Sequence, residues 1–444
     1  MAALSHQLNI LRIGQELAAR GHNFSMLISS TDAISIDALK NRSFPGFQVV
    51  TFDGPQGVGT EDWASSLSRD PQECAAQLFR TQALAADYLY ADKQALERMS
   101  NAGYDLILRD AVMWPAALLE DLLQLPSVEV LPLPVTSLQS APQSIPNPVA
   151  YIPQLGVSLT PNMSFWQRVQ NYLMSFLTLL LQRQVNASQD EFIKRTGHSF
   201  RLHDTGISSA AAFIAVVDWA LEYPRPVPPR VHMVGPVLAQ DPKPVTPELE
   251  AFLSRGLSEG HGAVFVSMGT LARMNSNELH SMAQALSALP NPVLWKFNLK
   301  HLPVNMSMDS LNLGKNIMLT DWAPQNDVLG HPVVKAFLTQ AGINSLHEAA
   351  YHGKPIVSVP LIVDQPANAA KGEYHGFGLT VDPSKLSPVN SNPLKTALTR
   401  ILTEPSFTIS AQKVQKRLIN KPRQPAQLAA DVIEQVLRNK KKAA

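Results

Sequence analysis

The segment 321–365 constrains the fold more than any other part of the sequence, because apolar runs and turn residues alternate along it. A short apolar run at 336–339 leads through a polar turn at 340–342 into a helix predicted to begin at Ile343. Glycine and proline then interrupt the chain before a second apolar run at 356–360. Strand, turn, helix and strand in this order predict half of a doubly wound α/β domain.

The same segment holds most of the residues that could bind a ligand. Such a domain binds ligands beyond the carboxyl ends of its strands, where a helix N-terminus suits a phosphate. Trp322 can stack on a flat ring, and Gln325 offers both a donor and an acceptor. Glu348 can accept from a diol, and Asp364 and Gln365 can bind sugar hydroxyls. Together these residues fit a base, a diphosphate and a sugar laid along one crevice.

A chain of 444 residues is too long for one ordinary hydrophobic core and predicts two domains. The proline-rich segment 223–247 is the clearest linker pattern, and strands alternate with helices on both sides of it. We predict an N-terminal domain at 1–228, a linker at 229–247 and a C-terminal domain at 248–424. A terminal helix with a basic tail at 425–444 is expected to pack back on the N-terminal domain.

Charge and cysteine content exclude several classes of function. The formal net charge is +1, so no broad basic field favours nucleic acid. The single cysteine, Cys74, excludes an internal disulfide and a cysteine-based zinc site. The first residues do not resemble a secretory signal, and the most apolar run, 172–181, is too short to span a bilayer. As the chain stands we expect a cytoplasmic protein, or one of the endoplasmic reticulum membrane if a longer parent supplies a signal and a C-terminal span.

The segment 321–365 resembles the nucleotide-sugar signature of the UDP-glycosyltransferase family, the family 1 glycosyltransferases, and is closest to the animal-type glucuronosyl and glucosyl branch. The resemblance implies a GT-B fold, in which two Rossmann-like doubly wound α/β domains face a cleft. The matching positions run in register and are Trp322, Gln325, Leu329, His331, Pro332, Phe337, Thr339, Gly342, Asn344, Ser345, Glu348, Gly353, Pro355, Pro360, Asp364 and Gln365.

The resemblance also implies a role for each donor-binding residue. Uracil would stack on Trp322, beside Ala323, and the base and ribose would contact Gln325 and Glu348. The diphosphate would lie at residues 340–345, and the sugar at Asp364 and Gln365. The remaining implied donor contacts are Gln340, Gly342, Asn344 and Ser345, together with Ser267, Gly269 and Thr270 in the loop after the first strand of this half.

Two residues in the turn depart from the common family pattern. Gln340 stands where many members have His, and it can donate a hydrogen bond but cannot be cationic. We expect weaker stabilisation of the leaving diphosphate, by about 1 kcal/mol. Ala341 replaces a usual small residue, and we expect that replacement to be harmless.

The N-terminal half resembles the family through two residues that imply the chemistry. His6 precedes the helix predicted at 8–19 and keeps the family's spacing to the turn at 20–22. Asp110 follows the strand predicted at 104–108. The resemblance implies that His6 is the general base toward an acceptor hydroxyl and that Asp110 orients it, with inversion at the sugar C1. No metal or other cofactor is expected, since UDP-sugar is a co-substrate.

Only five residues precede His6, where the family has a full strand. We expect a truncated sequence whose parent begins upstream.

Two segments have further interpretations. Residues 132–162, rich in Pro, Ser, Gln and Asn, predict a long surface loop. The amphipathic helix predicted at 164–185 either faces the core, or forms an acceptor-pocket wall or a peripheral membrane contact.

The predicted function is transfer of a hexose, glucose or glucuronate, from UDP to a hydroxyl of a lipophilic small molecule. One alternative is a UDP-sugar-binding homologue that is catalytically impaired. Another is a GT-B enzyme that acts on a lipid-linked acceptor. No nucleic-acid partner is expected.

Overall fold

The computed structural model describes residues 4–56, 71–258, 260–269, 273–386 and 392–443. The chain forms two compact units. The N-terminal unit comprises Met1–Leu155, Pro161–Val237 and Pro422–Ala444, and the C-terminal unit comprises Gly156–Thr160 and Leu238–Lys421.

Helices and strands alternate along the N-terminal unit. Its elements are α1 (Leu4–Ala19), β1 (Phe24–Ser29), α2 (Ala33–Lys40), β2 (Phe47–Phe52), α3 (Pro71–Ala91), α4 (Lys93–Asn101), β3 (Ile107–Asp110), α5 (Pro115–Leu123), β4 (Ser127–Leu131), α6 (Ser137–Gln143), α7 (Phe165–Thr196), α8 (Arg201–Thr205), β5 (Ala212–Ala215) and β6 (Val231–Met233).

The C-terminal unit continues the same alternation. Its elements are α9 (Pro247–Ser258), β7 (Ala263–Ser267), α10 (Ser276–Ser287), β8 (Val293–Lys296), β9 (Ile317–Thr320), α11 (Gln325–Gly330), β10 (Val334–Thr339), α12 (Ile343–Tyr351), β11 (Ile356–Ser358), α13 (Gln365–Tyr374), β12 (Gly378–Thr380), α14 (Pro393–Thr403) and α15 (Pro405–Ile419), with 3₁₀ turns at Leu299–His301, Met308–Leu311 and Pro383–Lys385. The last helix, α16 (Pro425–Ala443), belongs to the N-terminal unit.

The C-terminal unit has one parallel sheet of six strands in the order β12-β11-β10-β7-β8-β9. The chain order reverses between β7 and β10, which makes this point the topological switch where doubly wound domains bind ligands. Both central strands are buried along most of their length, and a stacked pair, Phe265 and Phe337, packs between them. Their continuous apolar runs are what a parallel sheet covered on both faces requires.

The N-terminal unit divides its strands between two parallel sheets. One sheet contains β1 and β2, and the other contains β3, β4, β5 and β6 in that order. Within the described residues, β1 pairs only with β2 and β3 pairs only with β4. In the part of the chain that the structure describes, β1 and β3 are therefore edge strands of their sheets.

The start of α1 differs from the prediction. The helix begins at Leu4 rather than at residue 8, so His6 lies inside its first turns and not before it. Gln7 and Asn9 are buried despite being polar, and the Asn9 amide donates back to the Ser5 carbonyl. Buried polar residues hide the helical pattern of this segment, because the pattern is recognised by apolar side chains.

The segment 132–162 is not the surface loop that its composition predicted. It contains α6, whose capping box joins Thr136 and Gln139. Ile145 and Ile152 are buried. A Thr followed three residues later by Gln is a helix-start signature, and here the abundance of Ser and Pro obscured it.

The core-facing interpretation of the helix at 164–185 is wrong for the first half of α7. Seven of its apolar side chains are largely exposed, namely Phe165, Trp166, Tyr172, Leu173, Phe176, Leu179 and Leu180. Its second half does pack inward, where Phe192 lies against Trp114 and Phe200. Periodicity identified the helix but could not identify which surface covers its apolar face.

The predicted linker at 229–247 also contains regular structure. Residues Val231–Met233 form β6, which pairs with β5, and the division between the units falls after Val237. Prolines on both sides of this short apolar run concealed an edge strand. Beyond the division, the backbone N–H groups of Gln240 and Lys243 donate to side chains of α11.

Candidate functional site

The carboxyl ends of β7 and β10 bring Gly269 and Gln340 together at the switch point of the C-terminal sheet. Gly269 has φ +74°, and a Cβ built on it would collide with the Gln340 side-chain amide. The backbone conformation therefore favours glycine here, and a larger residue would also have to displace the end of the Gln340 side chain. The buried Ser267 ends β7 just before this loop. Thr270, predicted to contact the diphosphate, lies outside the described residues.

The Gln340 side chain is buried and held by its neighbour on β10. Its Oε1 accepts a hydrogen bond from Thr339 Oγ1 at 2.9 Å. Its Nε2 faces both Gly269 and Gly342, as the atoms nearest to a Cβ at either glycine show. The amide N–H groups therefore remain the polar edge that Gln340 offers at the turn.

Ala341 adopts a backbone conformation that favours glycine. Its φ is +62°, in the left-handed region, and its side chain is fully buried. Any residue with a Cβ pays about 1–2 kcal/mol for this conformation relative to glycine. The sequence pattern predicted a small residue at position 341 but could not predict its backbone conformation.

The turn leads into α12, whose N-cap is Gly342 without a side-chain cap. The first backbone N–H groups of this nine-residue helix therefore have no capping oxygen from Gly342, and they carry the positive end of the helix dipole. Asn344 and Ser345 lie in its first turn. The helix start can accept a diphosphate through N–H groups and two polar side chains.

Glu348 lies one turn further along α12 and is hydrogen-bonded to Gln325 across the crevice. Gln325 Nε2 donates to Glu348 Oε2 at 2.5 Å and to Ser345 Oγ at 3.1 Å. Burial raises the pKa of Glu348 to about 7, although the hydrogen bond from Gln325 and the charge of Lys296 act in the opposite direction. The structure brings together three of the predicted donor-binding residues.

Lys296 is a candidate site residue that the sequence pattern did not reveal. It ends β8, two strands from β10, and burial lowers the pKa of its ammonium group. Its charge interacts with Glu348. The sequence feature that could have identified Lys296 is a lone lysine at the carboxyl end of an apolar strand.

Trp322 follows β9 and is 61% exposed, an unusual state for the largest apolar side chain. The Thr320 hydroxyl donates to the Trp322 carbonyl at 2.6 Å and fixes the loop, and the adjacent Ala323 is buried. An exposed indole on an anchored loop provides a surface for stacking a flat ring.

Asp364 and Gln365 begin α13, beyond the end of β11. Gln365 Oε1 accepts from the backbone N–H groups of Leu361 and Ile362 at 2.8 and 3.0 Å. Asp364 Oδ2 accepts from Asn368 Nδ2 at 2.6 Å. With its Oε1 engaged by the backbone, Gln365 can serve a sugar mainly as a donor, while the Asp364 carboxylate serves as an acceptor.

The other predicted residues, His6 and Asp110, meet in the N-terminal unit. His6 Nδ1 lies 2.7 Å from Asp110 Oδ2, although 104 positions separate them in sequence. Both side chains are largely buried, with exposed fractions of 13% and 6%. Asp110 Oδ1 also accepts from the Val112 N–H at 2.9 Å. With Nδ1 donating to the carboxylate, the neutral imidazole has its lone pair on Nε2, the arrangement of a general base.

A buried ionic network next to Asp110 was not predicted. Arg109 is 2% exposed and lies 2.9 Å from Glu129 and 3.3 Å from Glu120. Its guanidinium also donates to the hydroxyls of Ser127 and Ser208. This network fixes the carboxyl end of the edge strand β3, from which Asp110 extends.

No group of three or more His, Cys, Asp or Glu side chains suited to a metal ion occurs in the parts of the chain that the structure describes. Among the same residues, no helix combines the length and apolar character that crossing a bilayer requires.

Comparisons with known proteins identify the family to which this sequence is similar. A family model described as UDP-glucoronosyl and UDP-glucosyl transferase matches residues 1–443. UDP-glucuronosyltransferase 2A2 of Mus musculus is 31% identical over 98% of this chain and 83% of its own length. UDP-glucuronosyltransferase 2C1 of Oryctolagus cuniculus is 28% identical over 98% of this chain and 87% of its own length.

Solved structures share the fold at lower sequence identity. A UDP-glucose: anthocyanidin 3-O-glucosyltransferase in complex with UDP superposes with a TM-score of 0.64 and 18% identity, over 98% of this chain and 96% of that one. The predicted GT-B fold class is confirmed, as is the prediction of an enzyme. The chain belongs to the UDP-glucoronosyl and UDP-glucosyl transferase family and is a UDP-glycosyltransferase.

Proposed function

We propose that this enzyme transfers glucose or glucuronate from UDP to a hydroxyl of a lipophilic small molecule, with inversion at C1. The contact between His6 Nδ1 and Asp110 Oδ2 at 2.7 Å is the observation on which the proposal rests. An imidazole oriented by a buried carboxylate is a general base for a hydroxyl.

The donor is held by the C-terminal unit. Uracil stacks on Trp322, and Gln325 and Glu348 bind the base and ribose. The diphosphate is placed at the start of α12, where Gln340, Asn344 and Ser345 supply donors beside the backbone N–H groups. Asp364 accepts from the sugar hydroxyls and Gln365 donates to them.

The transfer moves one proton and breaks one bond. His6 Nε2 takes the proton of the acceptor hydroxyl while its oxygen attacks C1 of the sugar. The C1–O bond to the diphosphate breaks, and UDP leaves with the bonding electrons. Asp110 stabilises the imidazolium that forms. Attack from the face opposite the leaving group inverts the configuration at C1.

The proposal includes no metal, because backbone N–H groups and side-chain donors at the turn can balance the charge that develops on UDP. Turnover should therefore be unchanged after dialysis against EDTA. A loss that Mg²⁺ or Mn²⁺ restores would show that this part of the proposal is wrong.

The choice of sugar is supported by the relatives, which are named as UDP-glucuronosyltransferases. UDP-glucose and UDP-glucuronate should each be incubated with a panel of phenols and sterols, and products identified by mass. NMR coupling of the anomeric proton then reports the configuration. A product that retains the donor's α configuration would contradict the mechanism.

UDP-sugar binding without any product would favour the alternative of a binding homologue without turnover. Product formed only with lipid-linked acceptors would favour the other alternative, a GT-B enzyme that acts on a lipid-linked acceptor.

We further propose that α7 contacts a membrane surface peripherally. Its exposed stripe, from Phe165 to Leu180, is apolar, and the sequence has no carboxylate between residues 163 and 189 but has Arg168 and Arg183. Such a helix suits the interface of an anionic bilayer. Trp166→Gln/Leu173→Gln should lose binding to phosphatidylserine vesicles, whereas Ile409→Gln, at an exposed position on α15, should not. Equal binding by both variants would contradict this contact.

A further inference from the structure

Gln82 is a buried polar side chain to which the proposed chemistry gives no role. It lies on α3 and is 1% exposed. Its Nε2 donates a hydrogen bond to the Val112 carbonyl at 3.2 Å, and its Oε1 accepts one from the Trp114 N–H at 3.1 Å. Buried backbone groups require partners of this kind. The amide of Gln82 therefore fastens α3 to the loop that follows β3.

The loop held by Gln82 carries the hydrogen bond that orients Asp110. The Val112 N–H donates to Asp110 Oδ1 at 2.9 Å. The other carboxylate oxygen, Oδ2, lies 2.7 Å from His6 Nδ1. A carboxylate rotates about a broad torsion, so a donor fixed at Oδ1 determines where Oδ2 points. The position of the Val112 N–H thus decides whether the carboxylate meets the imidazole.

The backbone on both sides of Val112 is anchored by other elements. Before it, the Ala111 N–H donates to the carboxyl end of β4 at 2.9 Å. After it, the Trp114 ring stacks on Phe200 with the ring centroids 5.6 Å apart. Between these two anchors, the Val112 carbonyl is held by Gln82. The amide of Gln82 thus acts on the part of the loop that carries the donor to the carboxylate.

We propose that Gln82 is a positioning residue, which fixes Val112 and through it the Asp110 carboxylate. The carboxylate oxygen that faces His6 then holds a proton on Nδ1, and the lone pair of the neutral imidazole lies on Nε2. The effect of Gln82 on turnover rests on the proposed role of His6 as general base. Its effect on the His6 ring does not depend on that role.

A purely structural role for Gln82 has different consequences. If its amide only satisfied buried backbone groups, removing it would lower the free energy of unfolding and leave the His6 tautomer unchanged. A positioning role requires that the tautomer changes as well, because the ring loses the oriented oxygen that selects Nδ1–H. The protonation of the two ring nitrogens is therefore the measurement that separates the two roles.

Gln82→Met tests the proposal, because it replaces the amide by a thioether of similar length with no donor and only a weak acceptor. Gln154→Met is the matched control. Gln154 is also 1% exposed and lies in the same unit, but its amide bonds to Asn147 and to the Ile152 carbonyl. The ring nitrogens are observed by NMR in protein labelled with ¹⁵N-histidine, and the His6 signals are assigned by their loss in His6→Gln.

The parent and Gln154→Met should have the neutral His6 ring almost entirely as the Nδ1–H tautomer. In Gln82→Met, the Nε2–H tautomer should rise to about a third of the neutral rings. The kcat of Gln82→Met should fall by about tenfold to a hundredfold, while the Kd for UDP stays within about twofold. If Gln82→Met does not fold, Gln82→Glu takes its place, since its carboxylate keeps an acceptor for the Trp114 N–H but offers no donor to Val112.

The parent's tautomer in Gln82→Met would overturn the proposal, whatever the turnover of that variant. An equal loss of kcat in Gln154→Met would also overturn it, because general destabilisation of the unit would then explain the loss. A changed tautomer in Gln82→Met together with full turnover by His6→Gln would support the link from Gln82 to the His6 ring. That result would contradict the general base instead, so the two failures are distinguishable.

Discussion

Gln325 Nε2 donates to Glu348 Oε2 at 2.5 Å, and this bond joins the start of α11 to α12 at the mouth of the proposed ribose site. Burial raises the pKa of the Glu348 carboxyl to about 7. The charge state of a proposed ribose acceptor therefore changes within the physiological pH range.

The affinity for a UDP-sugar should increase as pH rises from 6 to 8. Below pH 7 the Glu348 carboxyl is protonated, and above it the carboxylate accepts two hydroxyls more strongly. We expect Kd to fall by about tenfold across this range. Calorimetry with a UDP-sugar measures this change in Kd. The ligand is a diphosphate diester, and its diphosphate has no group that titrates between pH 6 and 8. Glu348→Gln should bind weakly with no pH dependence, and an unchanged slope in this variant would assign the dependence to another group.

Gln340→His should increase turnover. The Gln340 amide lies between Gly269 and Gly342 but cannot be cationic, whereas an imidazolium would stabilise the departing diphosphate more strongly. We expect kcat to rise about fivefold near pH 6, where His is protonated, with a smaller effect at pH 8. Gln340→Asn, which keeps the amide on a shorter side chain, is the control and should lower kcat. A histidine variant slower than the parent at pH 6 would show that charge at this turn is not limiting.

Val363→Asn should stabilise the C-terminal unit. Val363 has φ +52°, a conformation that is strained for a β-branched residue and that Asn tolerates, and its side chain is 46% exposed. We expect the free energy of unfolding to rise by about 1 kcal/mol, measured with urea. Val304→Asn, at an exposed position without positive φ, should change it little. Equal effects of the two substitutions would exclude backbone strain as the cause.

Arg109→Met should destabilise the N-terminal unit strongly, because it leaves Glu120 and Glu129 buried without their cation. The expected loss is about 3–5 kcal/mol in urea unfolding. Arg195→Met, which removes an exposed pair with Asp87, should cost less than about 1 kcal/mol. Adding Glu120→Gln and Glu129→Gln to Arg109→Met should recover most of the loss. Similar costs for Arg109→Met and Arg195→Met would mean that the buried network does not hold β3.

The donor half of the fold could be predicted from sequence because its constraints are local. Strand, turn and helix follow one another from 336 to 351, so the residues around the turn are near in sequence and in space. The spacing of apolar residues and the position of Gly342 were sufficient to place the helix start. The backbone conformation of Ala341 was not predictable, because the same residue type occurs in ordinary helical turns.

The N-terminal half was less predictable because its contacts are distant in sequence. The Arg109 network joins residues from two strands, one helix and one loop, and no periodic pattern in the sequence predicts it. Exposure of the α7 stripe depends on which surface covers it, which periodicity does not encode. The family resemblance predicted His6 and Asp110 as a pair, but only the structure shows that His6 lies within α1.

The proposal that His6 is the general base is tested most directly by comparing turnover with UDP affinity in His6→Gln. Turnover should fall by about a thousandfold while the Kd for UDP remains within about twofold, since the imidazole acts on the acceptor. His22→Gln, which alters a histidine bonded to Glu434, should leave turnover unchanged. Full turnover by His6→Gln would contradict the mechanism.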